Sequence, residues 1–202
     1  MEHIISVIVF AIAASITPGP NTILALSSGL NFGARKSLPL IFGISVGFAL
    51  MLALVGTGIG QLFEEYPSIS VYLKVIGSLY LSYLAILIAK GNNPKEHHSE
   101  EPISMFKAFL LQWVNIKAWI ICLSAVATFT STNGSYSKQL MVLTIAFLSV
   151  GPLCVGSWVF IGAYLKRQIV NEIYIKALNL IMASLLFLSI VPVLKELHDE
   201  LV

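Results

Sequence analysis

Two clusters of polar and helix-breaking residues stand out because of where they sit. Thr17-Pro18-Gly19-Pro20-Asn21 lies inside a stretch with no Asp, Glu, Lys or Arg between Glu2 and Arg35. Two prolines flanking a glycine remove two backbone donors and disfavour helix. A membrane helix running through this segment must therefore break, and the freed carbonyls need partners from protein, water or a ligand. The break would leave carbonyls at Ser15–Thr17 on one side. On the other side, near Asn21, it would leave backbone N–H groups and the positive end of a helix dipole. A free amino acid carries one ammonium and one carboxylate, so the two ends match it. A kinked helix with a purely structural role is the competing expectation.

The second cluster is Gln112-Trp113-Val114-Asn115-Ile116-Lys117-Ala118-Trp119. On an unbroken helix Gln112, Asn115 and Trp119 share one face, and Trp113 and Lys117 another. A lysine at the bilayer centre costs about 2.5–3.5 kcal/mol on insertion scales, so it usually faces a cavity or a partner. No Asp or Glu lies inside any apolar segment. The expected partners of Lys117 are backbone carbonyls, water or a solute carboxylate; snorkelling to the surface is the plainer alternative. Tyr80 could hydrogen-bond into a cavity or simply pack. Gly43 and Gly47 have the spacing that lets helices approach closely, and Gly56 and Gly60 repeat it. His97 and His98 sit in a charged loop and lack the further ligands a metal needs. No nucleophile–base set or phosphate loop is present, so neither an enzyme, a metal site nor a cofactor is expected.

The elements that must hold these residues are membrane helices. The chain is 57% hydrophobic and only 11% charged over 202 residues, against about 45–50% and 25% in soluble domains. A net charge of +2 is too small to suggest nucleic acid. Gaps between charges mark six spans, since about 20 apolar residues cross a bilayer core. They fall within Glu2–Arg35 and Lys36–Glu64, then at about Ile69–Ala89, Met105–Thr130, Lys138–Leu165 and Tyr174–Leu194. The first begins with almost no basic residues and runs too long for a signal peptide, so it is expected to be retained. The segments are too long and uniformly apolar for barrel strands. The fold class is all-α integral membrane.

The loops after spans one, three and five carry Arg35, Lys36, Lys90, Lys95, Lys107, Lys166, Arg167 and Lys176. The opposite side carries Lys74, Lys138 and Lys195. The positive-inside rule puts the first set in the cytoplasm and both termini outside. Three spans precede the polar loop 91–104 and three follow it. This predicts two inverted three-helix repeats, 1–90 and 105–202, within one transmembrane domain. Spans one and four each hold a polar interruption. Spans two and five each hold small residues, Gly43 and Gly47 against Gly151 and Gly156.

At these residues the chain resembles the LysE/RhtB-type amino-acid exporters. The likeness runs through Thr17–Asn21, Ser27-Ser28-Gly29, Gly33–Ser37, Gly43 and Gly47. It continues through Leu73–Leu81 and Gln112–Trp119, in order and over nearly the whole chain. The resemblance implies export of amino acids or their derivatives, driven by an ion gradient or the membrane potential, across the inner membrane of a bacterium. It points to Thr17, Pro18, Gly19, Pro20, Asn21, Gln112, Asn115, Lys117, Trp119 and Tyr80 as the solute-binding set, with Gly43 and Gly47 packing helices.

Two positions depart from the family pattern. Ile116 stands where a proline usually follows the asparagine, so span four is expected to bend less than span one. Phe48 stands where exporters of basic amino acids tend to carry aspartate, which favours a neutral or zwitterionic solute. Lys117 is the one span residue able to carry a coupled proton, and uncoupled efflux stays equally open. Glycine-bearing faces could dock a second copy, so a homodimer is open too. Two readings from other classes remain: a thiol–disulfide electron carrier using Cys122 and Cys154, and a non-transporting helical scaffold.

Overall fold

The computed structural model describes residues 2–59, 67–90, 101–131, 135–169 and 171–201. Gly60, His97, His98 and most of the 91–104 loop lie outside them. Every regular element described is a helix. Helices α1 (Glu2–Ile16) and α2 (Pro20–Phe32) are joined by the Thr17–Gly19 bend. A 3-10 turn at Arg35–Ser37 leads into α3 (Leu38–Leu54), which continues as a π turn over Val55–Ile59. Then come α4 (Pro67–Lys90), α5 (Met105–Val114), α6 (Ile116–Phe129), α7 (Tyr136–Gln168), α8 (Glu172–Leu188) and α9 (Val191–Leu201).

Four stretches are long and apolar enough to cross a bilayer unbroken: Arg35–Gly58, Val71–Lys90, Tyr136–Gln168 and Ile173–His198. The pairs α1–α2 and α5–α6 qualify only together, and each is bent, by 60° and 70°. Counting each pair as one crossing gives the six spans expected. Many large apolar side chains point outward, among them Leu153, Ile173, Leu79 and Phe106, each at least 68% exposed. Water would penalise such a surface and lipid does not. The chain is a multi-pass, all-α membrane protein.

The expectation that Ile116 would straighten span four is overturned, because this break is the sharper one. Asn115 takes an extended conformation (φ −91°, ψ 101°) between α5 and α6. No proline is needed, since one freed carbonyl is capped within the span and the Asn115 side chain is held by span one. The Trp119 indole N–H donates to the Trp113 carbonyl at 2.9 Å, and the Asn115 amide donates to Asn21 at 3.2 Å.

Close backbone approaches hold the bundle together. A Cβ on Gly43 would collide with the Met105 carbonyl oxygen, and one on Gly47 with the Phe109 carbonyl, so these glycines seat α3 on α5. Gly29 meets the backbone of Val159, and Gly162 that of Leu26, locking α2 to α7. Gly151 and Gly156, the span-five counterparts expected from the sequence, have more room: their nearest atoms are Ser45 Oγ at 3.4 Å and Ile41 Cδ1 at 3.8 Å. That slack leaves space between α3 and α7 near the bundle's centre.

Candidate functional site

The breaks in spans one and four meet. At the first, three consecutive carbonyls lose their helical donors and each gains a side-chain donor from elsewhere. The Trp158 indole N–H reaches the Ile16 carbonyl at 3.2 Å. The Lys117 ammonium donates to the Thr17 carbonyl at 2.7 Å and the Pro18 carbonyl at 3.1 Å. The Thr17 hydroxyl turns back to Ala13. Ile16, Thr17 and Pro18 are themselves exposed, and in a membrane interior backbone carbonyls need such donors.

The start of α2 is organised by Thr22. Its hydroxyl accepts from the Gly19 N–H at 2.8 Å and donates to the Gly19 carbonyl at 2.9 Å. Beside it, Asn21 and Gln112 form a reciprocal amide pair. Asn21 Nδ2 donates to Gln112 Oε1 at 2.8 Å, and Gln112 Nε2 donates back to Asn21 Oδ1 at 3.3 Å. Gln112 also donates to the Ala108 carbonyl at 3.1 Å. Gln112 and Asn115 are buried, yet the side-chain amide oxygen of Asn115, Oδ1, finds no hydrogen-bond partner. A buried acceptor left open beside a cavity invites an N–H donor.

Two cavities flank the junction. One, of about 50 Å³, lies among spans one, two, four and five. Thr17, Asn21, Thr22, Ser45, Asn115 and Lys117 give it polar edges, and Ile44, Phe48, Ile121, Phe147 and Val155 an apolar wall. The other, of about 280 Å³, opens toward spans three and six past Gly77, Ser78, Ile190 and Glu196. Gly19, Asn115 and Lys117 line both. Phe48 stacks on Phe147 with ring centroids 5.0 Å apart, and Phe10 meets the edge of Phe147 at 6.2 Å.

The structure thus brings Thr17, Pro18, Gly19, Pro20, Asn21, Gln112, Asn115 and Lys117 to one junction. It does not bring Tyr80 or Trp119 there. Tyr80 packs beside the α2–α4–α8 core with its ring 6.4 Å from Tyr83. Trp119 packs against the α1–α3–α6–α7 core and caps its own break. Thr22, Ser45, Phe147 and Trp158 are the contributors the sequence reading passed over. Thr22 carried a signal, a hydroxyl three residues after the glycine where a helix begins. Trp158 carried none, because its carbonyl partner is 142 residues away. Cys122 and Cys154 are free, buried thiols. Among the described residues no cluster could hold a metal.

The LysE type translocator family matches residues 12–194, nearly the entire chain and both breaks. The chain belongs to that family. A LysE type translocator is a transporter, not an enzyme. Curated relatives of this translocator cover it almost end to end. A cysteine/O-acetylserine efflux protein of Klebsiella pneumoniae is 30% identical over 187 residues, 93% of this chain and 94% of its own. Proteins of the same name from Salmonella choleraesuis and Escherichia coli O1:K1 are 29% and 28% identical over 177 residues, each match spanning 88% of this chain and 90% of theirs. No solved structure matches this translocator.

Proposed function

We propose that this translocator exports small neutral amino acids, cysteine and O-acetylserine being the first candidates, through a midplane site at the junction of the two broken spans. The observation that carries the reading is the position of Lys117. A single cation sits on the carbonyl end of α1 beside the start of α2, with no carboxylate in ion-pair reach among the described residues. Such a site offers a solute carboxylate a positive partner and a solute ammonium a row of carbonyls. Phe48 on the cavity wall, where a carboxylate would attract a second cation, is apolar. That favours a neutral side chain over a basic one. A cavity of about 50 Å³ favours a solute with a small side chain.

Break-for-break correspondence between spans one and four supports two inverted repeats. The Lys and Arg bias supports a cytoplasmic face at the α2–α3 turn and the end of α7, with both termini outside. At that end Asn31 and Asn179 form a second reciprocal amide pair, at 3.0 and 3.1 Å. Lys166 donates to the Asn31 carbonyl at 2.6 Å.

The test is efflux from cells lacking other amino-acid exporters and loaded with dipeptides. Wild type should release a small neutral amino acid selectively, and Asn21→Ala should lose most of that release at equal expression. Release equal to empty vector for every amino acid would sink the reading.

A further inference from the structure

Gly19 poses a question its backbone does not answer. At φ 174° it is extended, a conformation open to any residue. Its reason is space. A Cβ there would stand 2.8 Å from Lys117 Cδ and 3.0 Å from Lys117 Nζ. Glycine at this position lets the lysine lie across the break and reach the Thr17 and Pro18 carbonyls. Lying so, Lys117 joins Gly19 and Asn115 in the wall shared by the two cavities. The ammonium uses two of its three donors there, while the buried side-chain oxygen Oδ1 of Asn115, a residue of the same wall, stays unpartnered. A solute ammonium, with three N–H donors, would suit the two carbonyls and this third acceptor together.

We propose that the Lys117 ammonium is a tethered stand-in for the solute's own ammonium: it occupies the Thr17 and Pro18 carbonyls in the empty protein, and an arriving zwitterion displaces it onto the zwitterion's carboxylate. This rests on the amino-acid export reading and goes beyond it by stating what a solute must carry. An ammonium is needed to take the carbonyls, and a carboxylate is needed to receive the displaced lysine. An amino-acid methyl ester brings only the first and leaves two cations together. An N-acetyl amino acid brings only the second and leaves the carbonyls bare. Displacement also opens the wall, so the same event that recognises the solute joins the two cavities.

The experiment uses the full-length protein in proteoliposomes and compares serine, its methyl ester and N-acetylserine as competitors of labelled O-acetylserine efflux. Wild type should favour serine over either derivative by at least about tenfold, the factor expected for one charge-assisted hydrogen bond lost. In Lys117→Met the carbonyls stand vacant, so the ester should compete as well as serine or better. Lys117→Arg, which keeps a cation of similar reach, should retain the preference. Wild type accepting the ester as readily as serine would overturn the proposal. So would a Lys117→Met protein that melts like wild type yet binds neither compound. If Lys117→Met cannot be purified, Gly19→Ala serves instead: its methyl pushes the lysine aside at little steric cost, and unchanged discrimination there would also overturn the proposal. Wild type that moves no amino acid at all refutes the export reading, and this one with it, before any variant is compared.

Discussion

Gly47→Ala tests whether helix packing and the site are one mechanical unit. The added Cβ would lie 2.8 Å from the Phe109 carbonyl oxygen and 3.0 Å from Gln112 Cγ, against the 3.4 Å at which ordinary contact begins. The Phe109 carbonyl is backbone and cannot rotate away, so α5 must retreat from α3 by roughly half an ångström. Overpacking of this kind costs about 1–3 kcal/mol. Removing a helix-interior glycine returns about 0.5–1 kcal/mol, leaving a net loss on the order of 1–2 kcal/mol. Gln112 moves with α5. Its 3.3 Å bond to Asn21 has no slack, and a hydrogen bond stretched that far is lost, at about 0.5–1.5 kcal/mol. The expectation is a lower melting temperature in detergent and an efflux KM raised up to about tenfold. Gly151→Ala is the internal control. Its Cβ would meet Ser45 Oγ at 3.4 Å, so the same chemical change should leave stability unchanged or slightly higher. Equal melting temperatures and equal KM for Gly47→Ala and wild type would refute the packing argument.

Three further outcomes follow from other parts of the structure. Asn31→Leu should cost about 1–3 kcal/mol by stranding the buried Asn179 amide. The Asn31→Leu, Asn179→Leu double variant should recover part of that in thermal unfolding; two single variants as stable as wild type would show that the pair contributes nothing. Phe147→Ala removes the ring stacked on Phe48 and should enlarge the cavity, so that competition assays admit bulkier neutral amino acids such as leucine; an unchanged size limit would mean that this ring does not set it. Cys122→Ala with Cys154→Ala should keep efflux within about twofold, since both thiols behave as small buried hydrophobes. Complete loss of efflux in a folded double variant would revive the thiol–disulfide reading.

Much of this translocator was legible without coordinates, for identifiable reasons. Charge-free runs locate spans because lipid penalises ions and unpaired backbone alike. Pro18-Gly19-Pro20 announces its break because proline lacks a donor whatever surrounds it. Those are local properties, and the sequence by itself determined the fold class, the apolar segments that can cross and the first bend. The second bend was different. Ile116 offers no local reason for 70° at Asn115; the Trp113 carbonyl there is capped by Trp119, and the Asn115 side chain is held by Asn21, which lies 94 positions away in sequence. The same holds for Gly19, whose glycine is explained by a lysine 98 positions along the chain and not by its own dihedral angles. Tyr80 and Trp119 show the converse: hydrogen-bonding side chains near the right motifs that the packing turned elsewhere. Which polar groups share a cavity depends on how helices cross, and crossing is decided by backbone approaches such as Gly29 on Val159. Tertiary structure alone decided that the two interrupted spans meet, and that Lys117 lies between two cavities at the place where they do.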